Sequence, residues 1–146
     1  MDPLQFLVPV GALEAASPVI TYGLLLLALA NMGTRYAAHE QYASQAEDGA
    51  EAISRHVPHV VTSFLLVLFA FAFTVIEPHG GIVASVLVVG TLVADFFEFE
   101  SRKVEARNGM EIERPKSALV GSMIVLAYVA YQSLFFVIQP VWNAVI

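Results

Sequence analysis

Four long apolar stretches divide this chain, and all seven of its Lys and Arg residues fall on one side of the layer those stretches would cross. The bases are Arg35, Arg55, Arg102, Lys103, Arg107, Arg114 and Lys116. Arg35 and Arg55 flank the polar loop between the first and second stretches, and the others lie between the third and fourth. The N-terminal segment, the Glu77–Gly81 turn and the C-terminus carry none. Basic residues near membrane spans stay cytoplasmic, so the partition predicts an orientation as well as a fold class. The expectation is an all-α integral membrane protein of the cell membrane, a multi-pass bundle of four antiparallel transmembrane helices with both termini extracellular.

Composition narrows the chemistry. Cysteine is absent, which excludes disulfides, thiolate metal sites and a cysteine nucleophile. Acids outnumber bases by 13 to 7, and no basic patch points to nucleic acid. Low Lys, abundant acid and many Val and Ala resemble proteins of salt-loving archaea, where acidic surface keeps its hydration although salt screens charge. The start, Met1-Asp2-Pro3-Leu4-Gln5, lacks the positive region of a signal peptide, so the first span is expected to stay as an anchor.

The chain reads as a single transmembrane domain over residues 1–146. Residues 3–16, with Pro9, Gly11 and Glu14, are too short and interrupted to span and suit an interfacial or re-entrant segment. Ser17-Pro18 suits a helix start with a hydroxyl cap. The spans are placed at about 18–35, 59–77, 82–101 and 117–138, with cytoplasmic loops at about 36–58 and 102–116. Helices one and three are expected to run on beyond the membrane, helix three as far as Asn108-Gly109. Glu77-Pro78-His79-Gly80-Gly81 predicts a tight outer turn, and Gln139-Pro140 an end to the fourth helix. Phe69, Phe71 and Phe73 read as facing lipid or a partner. Gly90 and Ala94 make a small-xxx-small pattern that invites close packing.

Asp95 is the sharpest candidate for chemistry. A span from Ile82 reaches it after about 20 Å at the helical rise, inside a hydrocarbon core about 30 Å thick. An intramembrane acid is costly and suggests an ion or proton site, whereas the plainer reading is an Asp paired with an inner Arg or a polar side chain. Glu98 and Arg102 continue its face as a ladder of acids descending to a snorkelling base. On the fourth span Tyr128 and Gln132 share a face and read as interhelical glue or as polar lining of a path. His39, His56 and His59 lie on the inner side and are weak metal candidates, because the paired Glu-x-x-His motifs of bundle metal sites are missing. No metal or other cofactor is expected.

The run Asp95-Phe96-Phe97-Glu98-Phe99-Glu100-Ser101-Arg102-Lys103-Val104-Glu105-Ala106-Arg107, with Glu113-Arg114-Pro115-Lys116 and Leu126–Phe136, resembles a small haloarchaeal membrane-protein family with no assigned function. The resemblance implies the four-span plan over nearly the whole chain and carries over no catalytic or binding residue.

These readings favour a small non-catalytic protein, an accessory or assembly subunit of a larger membrane complex such as a respiratory one. The alternative is a homo-oligomeric ion or small-solute transporter or channel that uses Asp95; a metal-binding membrane enzyme ranks below both. The expected partners are the bilayer and other membrane subunits or further copies of the chain. The orientation is directly testable in a protein without native cysteine. A cysteine at His79 is expected to react with impermeant reagents from outside the cell and one at Gly109 only after the membrane is opened; the reverse pattern would overturn the topology.

Overall fold

The computed structural model describes residue 7 and residues 9–146, all in helices and their connections. In order come α1 (Val10–Ala15), α2 (Ser17–Ala46), a 3-10 turn (Ala50–Ala52), α3 (Val57–Ile76), α4 (Pro78–Arg107) and α5 (Lys116–Val145). By length and composition α2, α3, α4 and α5 can each cross a membrane. Of the segment expected at the interface, residues 3–6 and 8 lie outside the described residues. The remainder contains α1, which packs on α3, and Leu13 within it and Ala16 just after it lie against the core.

Elements follow local chemistry. Ser17 is the first residue of α2 rather than its cap, and Ala16 caps without a side-chain hydrogen bond. Pro58 and Pro78 stand in the first turns of α3 and α4, where a missing N–H costs nothing. At the start of α3, His56 Nδ1 accepts a hydrogen bond from the His59 N–H at 3.3 Å. That role needs an unprotonated nitrogen, and burial, followed by the nearby His59, pushes the His56 imidazole below its ordinary range. The expected stop of α4 is present: Asn108 caps it and Gly109 takes φ +66, a conformation that disfavours any side chain. Exposed Met110 is therefore a better labelling position than Gly109.

Two boundaries differ from the sequence expectation. Gly80 and Gly81 belong to α4, so only Glu77 separates α3 from α4. A side chain at Gly81 would run into the Thr74 backbone, which is why the chain can reverse in one residue. The fourth helix passes through Pro140 to Val145 rather than ending there; Pro removes one backbone hydrogen bond without forcing a stop.

The four long helices form a square. α2 packs on α3 and α5, α4 packs on the same two, and α2 faces α4 across the diagonal. Bases cluster at one end, here called the basic end; the Glu77 turn marks the far end. Between them sits an apolar core of Ile20, Leu24 and Ala28 from α2, Leu66, Ala70 and Phe73 from α3, and Val88, Val125 and Val129 from α4 and α5. Phe73 is thus buried and Phe69 lies over Gly23, against the expectation of an outward phenylalanine face; Phe71 does face outward. Gly90 is exposed, with open space where a Cβ would stand.

The two glycines make a paired test of this packing. Gly81→Ala is expected to destabilise the detergent-solubilised protein by about 1–3 kcal/mol, as overpacking does, while Gly90→Ala leaves thermal unfolding unchanged. Equal melting behaviour of the two variants would refute the close α3–α4 approach.

Candidate functional site

Just toward the basic end from the apolar core, the bundle interior turns polar. Arg35 and Asn31 lie one turn apart on α2, and both are buried. The Arg35 guanidinium reaches across the diagonal and grips Asp95 at two points, Nε to Oδ1 at 2.9 Å and Nη2 to Oδ2 at 2.7 Å. Side-chain exposure is 2% for Arg35 and 15% for Asp95, so water screens the pair little. Two parallel hydrogen bonds match the planar fork of an arginine, a geometry lysine cannot supply.

Arg35 Nη2 also donates to Asn31 Oδ1 at 2.8 Å. Asn31 Nδ2 in turn donates to Thr62 Oγ1 and Ser63 Oγ, each at 3.0 Å, and so ties α2 to α3. Thr34 Oγ1 lies 2.9 Å from both His59 Nδ1 and Thr62 Oγ1. His59 Nε2 stands 3.3 Å from Asp95 Oδ2, but outside hydrogen-bonding geometry. The Thr34 hydroxyl also donates to the Asn31 carbonyl at 3.1 Å.

A second ionic cluster sits nearer the basic end. Buried Arg102 donates to Glu98 at 3.0 Å and to Glu105 at 2.8 Å. Glu105 also accepts from the Glu113 N–H at 3.2 Å, which ties the α4–α5 loop to the helix. Between the two clusters lies a polar cavity of about 30 Å³, lined by Arg35, His39, Tyr42, Asp95, Glu98 and Arg102 among others. It has room for roughly one or two water molecules. Arg35 Nη1 and His39 Nδ1 are buried nitrogens with no protein partner, and both residues line it.

The sequence candidates therefore separate. Asp95 and Glu98 share the cavity, but Asp95 turns to Arg35 on another helix instead of continuing the Glu98–Arg102 ladder. Tyr128 and Gln132 are joined to each other at 3.1 Å, and Gln132 lies beside Gly80. Gly80 is some 22 Å up α4 from Asp95 at the helical rise, so these two residues belong to the far end. The histidines also diverge: His56 caps α3, His59 faces Thr34 and Asp95, and His39 lines the cavity. Among the described residues no three His, Asp or Glu side chains converge as metal ligands.

A family profile described as "Domain of unknown function (DUF7313)" matches residues 2–146. The chain belongs to that family. No curated protein and no solved structure matches it. Membership is consistent with the small uncharacterised family that the sequence resembles, and it assigns no residue a role.

The sequence reading missed Arg35 as the partner of Asp95, and with it Asn31, Thr34, Thr62 and Ser63. A usable signal was present: Asn31 and Arg35 are i, i+4, and His59, Thr62 and Ser63 are i, i+3 and i+4. Each set places polar groups on one helix face at the basic end.

Removing one partner of a buried pair leaves a bare charge, whereas removing both does not. Asp95→Asn or Arg35→Met alone is expected to cost about 3–5 kcal/mol, and the double variant Arg35→Met with Asp95→Leu to recover most of it. Thermal unfolding in one detergent measures this; additive losses in the double variant would refute the coupling.

Proposed function

We propose that the chain is a small non-catalytic integral membrane protein, an accessory or assembly subunit of a larger membrane complex. Its basic end faces the cytoplasm and both termini lie outside, as the distribution of Lys and Arg favours. The acid excess and the low Lys content favour a source in a salt-loving archaeon, with a membrane complex of the respiratory kind as a suitable setting.

The observation that carries this reading is the engagement of Asp95. The acid inside the apolar stretch is held by Arg35 at two points, and most of the surrounding polar groups bond one another. Toward the far end the bundle is filled by packed Leu, Ala, Val and Phe side chains. Buried Ser122 and Ser133 turn to carbonyls of their own helix. Such an interior holds helices together and offers no polar route through a single chain among the described residues. The outward faces, with Leu26, Leu68, Phe71 and Val86, remain for lipid and neighbouring subunits.

A homo-oligomeric transporter or channel using Asp95 is the second reading. The polar cavity that reaches Asp95 from the basic end favours it. Purification of tagged chain from native membranes in mild detergent separates the two. Partners of one complex at fixed stoichiometry, whose assembly fails when the chain is deleted, are the expected result. A homo-oligomer alone, with ion flux in proteoliposomes that Asp95→Asn abolishes, would overturn the accessory reading.

A further inference from the structure

Arg35 has one donor nitrogen to spare. Its Nε and Nη2 hold Asp95 and Asn31, while Nη1 is buried and has no partner among the described residues. A guanidinium stays charged in any protein, so both protons on Nη1 are present and call for acceptors. His39, one turn further along α2, carries a second buried nitrogen, Nδ1, equally without a partner among those residues. Both side chains line the polar cavity between the two ionic clusters. An unmet charged donor inside a bundle is costly, and ordered water is the usual remedy where no protein group serves.

The size and charge of the cavity select its occupant. At about 30 Å³ it takes one or two waters and nothing larger, since each water needs about 10–15 Å³. Its walls carry two cations, Arg35 and Arg102, and two carboxylates, Asp95 and Glu98. A halide would meet the carboxylates and a metal ion the guanidinium groups, so the balance favours a neutral molecule. That molecule must accept from Arg35 Nη1 and must pair with His39 Nδ1 whichever tautomer the ring holds. Water meets both demands because it donates as well as accepts. On the other side of Asp95 the demand is absent. The space beside Asn31, Ser63 and Thr91 is only about 10 Å³, and those side chains already bond other protein groups.

We propose that the cavity is a resident water site. Ordered water accepts from Arg35 Nη1, engages His39 Nδ1 and donates to the Glu98 carboxylate. It joins the Arg35–Asp95 pair to the Glu98–Arg102 cluster, so that α2 and α4 are coupled once directly and once through water. The site lies within one chain and does not depend on whether that chain is a subunit or a transporter.

The test is X-ray hydroxyl-radical footprinting of the whole chain in nanodiscs. Radicals formed from water oxidise the side chains beside it, and mass spectrometry reads the positions. Phe99 lines the cavity at 6% exposure, and Phe73 lies in the apolar core at 3%. Phe99 is expected to be modified at least about tenfold faster than Phe73, whose close-packed surroundings hold no water. Equally slow modification of the two would overturn the proposal. Phe99 also borders a lateral groove between α3 and α4, and two variants separate the sources. Ala38 is buried and lines the cavity but not the groove; exposed Val93 lines the groove but not the cavity. Ala38→Leu should bring Phe99 down to the level of Phe73 and lower the melting temperature, because it leaves Arg35 Nη1 bare. Filling a dry cavity would instead leave melting unchanged or raise it. Val93→Trp should leave Phe99 modification intact. Loss of modification in Val93→Trp, or its persistence in Ala38→Leu, would place the water in the groove and overturn the proposal. The Val93 variant decides even if the Ala38 variant unfolds.

Discussion

The Arg35–Asp95 ion pair is the contact on which the arrangement of this bundle turns. In a square of four helices the neighbours along each edge pack directly, whereas α2 and α4 meet across the diagonal. Charge attraction inside a poorly screened interior is strong, and two-point geometry makes it directional. It also sets register. Sliding α4 by one turn would carry Asp95 about 5.4 Å along the axis and break both of its hydrogen bonds to Arg35. Asn31 extends the same constraint to α3 through Thr62 and Ser63. Arg35 and Asn31 thus tie α2 to both α4 and α3.

The rest of the interior divides around that pair. On one side lie uncharged side chains from Ala to Phe, whose packing many apolar combinations of equal volume would satisfy. On the other lie ionic groups that tolerate few alternatives. Arg102 holds Glu98 and Glu105, and Glu105 reaches the loop backbone at Glu113. The order of the α4–α5 loop therefore rests on a buried carboxylate rather than on loop composition. His59 stands where the polar cavity and the lateral groove meet, since it lines both.

Much of the architecture was legible because apolar runs of this length leave few options. Long apolar runs punctuated by Pro58, Pro78 and Pro115 announce helices, and Asn108-Gly109 announces a stop. The turn at Glu77 was readable as tight but not as a single residue, because that depends on whether Gly81 can touch the Thr74 backbone, a tertiary fact. Phe73 illustrates the same limit: an aromatic residue in an apolar helix carries no mark of which side is inward. Asp95 was visible as costly, and a hydrogen bond to Tyr, Ser, Gln or an inner Arg was the plainer expectation. The partner's identity as Arg35 was hidden by a separation of sixty positions along the chain.

That separation has a consequence for how the chain is made. Arg35 leaves the ribosome sixty residues ahead of Asp95, a gap of about 3–12 s at ordinary rates of synthesis. Throughout that interval the guanidinium lacks this carboxylate, and burying it alone is costly. The first long helix therefore gains the partner of its buried arginine only when α4 arrives. Completion of the bundle is therefore timed by the emergence of one aspartate.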